Sequence, residues 1–311
     1  MKKIICVLIA LMLVVSLAAC GSSGGSSQNS SGGSSGNNAA PQNNSENKGN
    51  KDQDPPKAAY TVENAVIADN DSCRLTLTSV KDGKSYLDLV FLCENKRSDK
   101  TLMFSIDDVT ADGYVVSTFF AEEVAAGKKS NETMSLDKKD LSAWGVDAVD
   151  ELSMKLRVYD SNDWLADEFV EDRFDVYLTG KSASEVVYPE RMRKEGETVV
   201  VDNDSCSFVI YENYHDSIWG YTLSVYLQNK TDHEIMFSWD DTSVNGFMID
   251  PLWARSVPAG KAAYSTINFS DSKLEENGIK EVSEIEFELR VHNEEDYSAK
   301  DHVNEVFTYK P

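Results

Sequence analysis

The sequence predicts an all-β protein: two tandem immunoglobulin-like β-sandwich domains with one short helix each, behind a signal peptide and a disordered linker. Three observations carry that expectation. Apolar and polar residues alternate along short runs, the chain is written twice, and a long Gly/Ser tract separates the duplicated part from an apolar N-terminus.

The duplication comes first. DNDSC stands at 69–73 and again at 202–206, a shift of 133 residues. The same shift lays MFSIDD (103–108) on MFSWDD (236–241), AGK (126–128) on AGK (259–261) and LRV (156–158) on LRV (289–291). It also lays Gly113 on Gly246 and Gly145 on Gly278. Residues 103–164 match 236–297 without a gap, with 20 identities in 62 positions. One extra residue enters the second copy's first hairpin, where Asn95-Lys96 meets Asn229-Lys230. The expected division is a first repeat over 58–180, an inter-domain linker over 181–196 and a second repeat over 197–311.

Each copy reads as β. ELSMKLRVY sets Leu152, Met154, Leu156 and Val158 on one face, and EIEFELRVH repeats this with Ile285, Phe287, Leu289 and Val291. A period of two over eight residues is a half-buried strand. SCRLTLTSV and YLDLVFLCEN flank Asp82-Gly83, a hairpin signal. Further strand-like runs are 102–106, 114–120, 130–136 and 169–178, with counterparts in the second copy. DKKDLSAWG and DSKLEENG predict the short helices, capped by Asp137 and by Ser270 or Asp271, each stopped by a Gly suited to a left-handed position. Seven to nine short strands in about 115 residues fit a sandwich.

The N-terminus predicts an address. Lys2 and Lys3 precede an apolar run over 4–17, too short for a comfortable membrane span and patterned as a signal peptide over 1–19. Leu17-Ala18-Ala19-Cys20 resembles the lipobox of bacterial lipoprotein precursors. The resemblance implies cleavage before Cys20, lipidation of its sulfur with diacylglycerol, and a palmitate-type acyl anchor in the cell membrane. Residues 21–57, rich in Gly, Ser, Asn and Gln, then read as a tether with an r.m.s. span of about 35 Å and a stretched limit of about 120 Å. The whole resembles lipid-anchored surface proteins of Gram-positive bacteria that carry immunoglobulin-like domains of unassigned function. That resemblance implies an extracytoplasmic location and supplies no catalytic residues.

Charge narrows the partners. The chain holds 30 basic and 53 acidic residues, a net of −23, which becomes −25 once Lys2 and Lys3 leave with the signal. Such a body is repelled by nucleic acid and by anionic lipid. The one basic run, Arg191-Met192-Arg193-Lys194, reads as a solvated loop between the repeats.

Candidate chemistry is sparse. The sequence contains no HExxH or GxxxxGK, and GxSxG occurs only at 21–25 and 32–36, inside the low-complexity Gly/Ser tract and without the strand–turn–helix setting that motif needs. Ser135–Lys138 and Ser270–Lys273 spell Ser-x-x-Lys, but they do not align with each other and lack the helical setting that motif needs. The four histidines, His215, His233, His292 and His302, all fall in the second copy and read as isolated surface imidazoles. Asp107, Asp108 and Asp112 precede Gly113; Asp240, Asp241 and Asn245 precede Gly246. Oxygen ligands around a Gly turn suit a structural Ca²⁺, and the same residues are ordinary turn formers. No other cofactor is implied. Cys73 and Cys93 fall on inward faces nearly opposite about Gly83, which allows a cross-strand disulfide or two buried thiols. Cys206 has no such partner, since Leu227 stands where Cys93 would be.

Trp219, Trp253 and Phe120 lie near expected turns or strand ends and are candidate contact residues, while Trp144 reads as core. The clearest difference between the copies is the loop ENYHDSIWG (212–220) against VKDGKS (80–85). The expected function is a non-catalytic binding, adhesion or accessory module at the cell surface, meeting a protein or a cell-wall glycan through such loops. The alternatives are a substrate-binding lipoprotein of an importer and a cell-wall-modifying enzyme.

Overall fold

The computed structural model describes residues 60–311, and the lipobox, Cys20 and the tether lie outside them. The chain folds as an all-β protein with two short helices. The first repeat runs β1 (Ala65–Asp69), β2 (Cys73–Asp82), β3 (Tyr86–Asn95), β4 (Leu102–Ala111), β5 (Tyr114–Val115), β6 (Phe120–Val124), β7 (Lys129–Asp137), α1 (Lys138–Ala143), β8 (Glu151–Asp160) and β9 (Val170–Tyr177). The second runs β10 (Thr198–Asp202), β11 (Cys206–Asp216), β12 (Gly220–Asn229), β13 (Ile235–Val244), β14 (Phe247–Met248), β15 (Ala254–Val257), β16 (Ala262–Phe269), α2 (Asp271–Glu276), β17 (Ile285–Asn293) and β18 (Val303–Tyr309).

In the first sandwich a sheet β1-β2-β3-β7 faces β5, β4, β8 and β9, with β6 also on β4. In the second, β10-β11-β12-β16 faces β14-β13-β17-β18, with β15 on β13. The alternating stripes fill the cores: Leu152, Met154, Leu156 and Val158 are fully buried, as are Ile285, Phe287, Leu289 and Val291. At about 25 cal/mol per Å², such burial is the main force holding the sheets together. The second core is more aromatic, with Trp239 stacked on Phe287 at 3.7 Å.

The repeated motifs are backbone devices. In DNDSC the Oδ1 of Asn70 accepts from the amides of Ser72 and Cys73, and the Oδ1 of Asn203 does the same for Ser205 and Cys206. Buried Asn95 donates to the carbonyls of Lys100 and Val124, and buried Asn229 to those of His233 and Val257. The run expected over 114–120 breaks into two short pieces, because β5 leaves β4 after Val115 and β6 starts only at Phe120.

The repeats share a sheet. Ala262-Ala263 of β16 pairs in parallel with Tyr114-Val115 of β5, so β10 through β9 form one nine-stranded sheet. The linker seals this joint. Lys261 Nζ lies 2.8 Å from Glu151 Oε1, both side chains largely buried, and Tyr188 Oη donates to the same carboxylate at 2.5 Å. Gly113 has a φ of +85°, and a Cβ there would meet the Tyr188 ring at 2.6 Å, so only glycine fits. Trp144, at the end of α1, stacks on Tyr264 of β16 at 5.6 Å, which makes it a contact between the repeats. The basic run is also structural: Arg191 pairs with Glu197 and lies over Tyr226, and Lys194 pairs with Glu212 at 2.6 Å.

Candidate functional site

The loop that differs between the copies builds one wall of a cleft. β11 and β12 form a hairpin whose tip is an Asx turn: Asp216 Oδ1 accepts from the amides of Ile218 and Trp219. That turn leaves Ile218 80% and Trp219 62% exposed. Gly220 follows at φ +81°, and a Cβ there would lie 2.4 Å from the Phe269 carbonyl oxygen. The hairpin therefore presses directly on the start of α2. His215 completes the closure, its Nε2 2.9 Å from Asp271 Oδ1.

Between this hairpin, α2 and the segment after it lies a cleft of about 670 Å³. Leu274, Ile279 and Val282 supply its apolar wall, Tyr221 and Asn213 its polar one, and Glu275, Lys280 and Glu281 its rim. The Tyr221 hydroxyl is buried without a hydrogen-bond partner, and burial holds it protonated, well above the usual phenol range. An unmet buried hydroxyl costs about 1–3 kcal/mol.

The first sandwich has the same cleft, and it is closed. Leu141, Val146 and Val149 take the places of Leu274, Ile279 and Val282, Leu87 that of Tyr221, and the pair Lys138–Asp82 that of Asp271–His215. Tyr60 fills it, with its Oη accepting from the Val149 amide at 3.3 Å, and only about 10 Å³ remains. The position matching Tyr60 is Arg193, which lies in the linker and is exposed. A second polar groove, of about 360 Å³, runs beside Arg191 and Lys230, but both are already paired, with Glu197 and Asp202.

The structure redistributes the residues singled out from sequence. The six oxygen ligands do not gather, and among the described residues no group of three His, Cys, Asp or Glu is placed to hold a metal. Asp112 Oδ1 accepts from the amides of Asp150 and Glu151, and Asn245 Oδ1 from those of Ser283 and Glu284. Each ties its turn to the segment that enters the late strand. Asp108 and Asp241 sit at positive φ within register shifts of β4 and β13. Asp107 accepts from the Ser105 hydroxyl, and Asp240 pairs across the sheet with Glu288.

The disulfide is not formed. Cys73, Cys93 and Cys206 are buried free thiols, and burial pushes Cys93 up to about 12. The hairpin closes one residue beyond Gly83, so Cys73 faces Asn95 and Cys93 faces Leu75.

Trp253 is not a surface contact. It is half-buried, its indole N–H donates to Ser265 at 3.1 Å, and its ring meets Phe208 edge-on. Phe120 is buried against Phe91, and its neighbour Phe119 is the exposed ring. Trp219 alone of the three stands in solvent.

The histidines are not isolated. His233 and His302 meet with Nε2 atoms 3.0 Å apart, and Asp232 engages His233 Nδ1 at 3.0 Å. With ring centroids 5.2 Å apart, the two nitrogens face in line and do not converge on a common point. His292 is buried, with neither ring nitrogen partnered. In the two Ser-x-x-Lys stretches, Ser135 binds Asp88, Lys138 binds Asp82 and Lys273 binds Glu276, so no serine–lysine pair exists.

No family model matches the chain, and no curated protein matches it in sequence. Among solved structures it is similar to red sea bream transglutaminase, with 12% identity and a TM-score of 0.22 over 76% of this chain and 31% of that one. It is also similar to the exo-chitosanase CsxA of Amycolatopsis orientalis, with 12% identity and a TM-score of 0.21 over 75% of this chain and 26% of that one. The chain spans less than a third of either, and at these scores neither likeness bears on its chemistry.

Proposed function

We propose that this chain is a lipid-anchored, extracytoplasmic binding module without catalytic chemistry, and that the second sandwich is its contact face. One observation carries the reading: the same cleft is plugged in the first copy and open in the second, beside an exposed Ile218–Trp219 tip. Rigid aromatics at the rim of a pocket are frequent anchors of protein contacts. Cys20 supplies the anchor and residues 21–57 the reach.

Two experiments test this. Immobilised full chain is incubated with cell-envelope extract, and an Ile218→Ser/Trp219→Ser variant is run beside it. The reading requires a partner retained by the first and lost by the second; equal retention sinks it. The full chain is expected to take up labelled palmitate in cells and Cys20→Ala to lose the label, and a variant labelled as strongly as the parent removes the anchor.

A further inference from the structure

We propose that the cleft of the second sandwich is a receptor for a tyrosine side chain presented on an extended peptide of a partner protein. This rests on the binding reading above and names what is bound. The molecule contains its own template. In the first sandwich, the chain entering β1 lays Tyr60 into the matching cleft, fixed by the Thr61 amide on the Leu178 carbonyl at 2.9 Å. The ring packs on the first core and its oxygen takes the Val149 N–H.

Three of the four apolar walls that hold Tyr60 are retained in the second cleft as Leu274, Ile279 and Val282, and the ring of Tyr221 takes the place of Leu87, so a ring of the same size has a matching bed. The chain's own counterpart cannot fill it. The 191–197 segment is held toward the joint between the repeats by Arg191 on Tyr226 and Lys194 on Tyr211. The walls differ at two positions: Tyr221 stands where the first copy has Leu87, its hydroxyl buried away from solvent and without a partner, and Asn213 stands where it has Val80, its amide bound to Tyr309 at 3.0 Å. With Asp271 paired to His215, Glu275 and Glu281 still outnumber Lys280 on the rim and oppose a phosphorylated ring, so the ligand is the unmodified phenol.

The test uses the full chain and the peptide of residues 58–63, Ala-Ala-Tyr-Thr-Val-Glu, capped and fluorescently labelled. Anisotropy is expected to show saturable binding to one site. Replacing the peptide tyrosine by alanine is expected to weaken it at least ten-fold, and by phenylalanine about five-fold, the worth of one hydrogen bond. Phosphotyrosine is expected to abolish it. Ile279→Trp fills the cleft and is expected to remove binding. Chemical-shift mapping on the unaltered chain locates the peptide on Leu274, Ile279 and Val282 without any variant. Tyr60→Ala opens the first cleft and is expected to raise the stoichiometry from one site to two. Equal binding of the alanine peptide, shifts elsewhere, or no binding at about 1 mM overturns the proposal. An envelope partner captured through Ile218 and Trp219 but not displaced by the tyrosine peptide, whether protein or glycan, overturns this inference and leaves the binding reading standing.

Discussion

The first sandwich closes its helix-side cleft with Tyr60, and the second leaves the same cleft open, although Leu141, Val146 and Val149 match Leu274, Ile279 and Val282 position for position. The sheet edges differ in the opposite sense. β16 opens with Ala262-Ala263-Tyr264 and joins β5, whereas its counterpart β7 opens with Lys129-Ser130-Asn131 and lies at a sheet edge. Exposed lysine and polar residues discourage strand addition, while small residues allow it. One sequence plan thus yields a closed unit with a blocked edge and an open unit with a joined edge. The segment ahead of each sandwich decides which: 60–64 turns inward, and 181–197 is spent on the joint.

The largest effect expected from breaking that comparison is at lysine. Lys261→Ala leaves Glu151 buried at the joint and is expected to cost about 3 kcal/mol, whereas the exposed counterpart Lys128→Ala stays within about 0.5 kcal/mol. Urea melts of the two variants read the difference, and equal midpoints would mean that the joint is not stabilised through this lysine. Next comes the plug. Tyr60→Ala is expected to cost about 2 kcal/mol and Arg193→Ala almost nothing, compared in the same melts.

Asp112→Ala removes the acceptor for two buried-segment amides and is expected to cost on the order of 1–2 kcal/mol, while Asp112→Asn, the residue of the second copy, restores it. Burial raises the Asp112 carboxyl to about 6, so the folded state holds its proton more tightly than the unfolded state. Its contribution is therefore present below the unfolded value of 3.8 and is lost as pH rises toward 6, and the Asn variant is expected to lack that dependence.

His292 works in the other direction. Burial first, then Arg290, holds its imidazole below 6.5, so its share of stability is present above that value and lost on acidification. His292→Tyr, the residue of the first copy, is expected to flatten the loss of stability between pH 7 and 5, and an unchanged acid slope would exclude His292 as its source. The smallest effect is at Trp219→Ala, expected to leave the melt within about 0.5 kcal/mol while removing partner capture.

The strand pattern was legible because a buried apolar residue recurs at every second position from Leu152 to Val158 and from Ile285 to Val291, even though Glu151, Ser153 and His292 are buried as well. The ends of α1 and α2 were legible because they are set locally: Asp137 accepts from the Lys139 amide, Ser270 takes the matching N-cap position without a side-chain bond, and Gly145 and Gly278 follow at positive φ. What failed to show was set at long range or by one-residue offsets. Phe119 and Phe120 differ by one position and by opposite faces. The cysteine pairing depended on where the β2–β3 turn closes and on its register shift near Ser79. Asp112 and Asn245 carry ligand oxygens, but amides some forty residues away claim them. The hairpin over 206–229 was visible as a difference between the copies. The cleft beside it was not, because its emptiness is defined by Tyr60 in the other half of the chain.

The Tyr60 ring has one more consequence. Any tension reaching the body from its N-terminal side arrives at residue 60 before it reaches a strand, so the ring behaves as a stopper and the Thr61–Leu178 hydrogen bond as its catch. Drawing that stopper would empty a pocket walled by Leu141, Val146 and Val149, the first half's version of the one that stands open in the second.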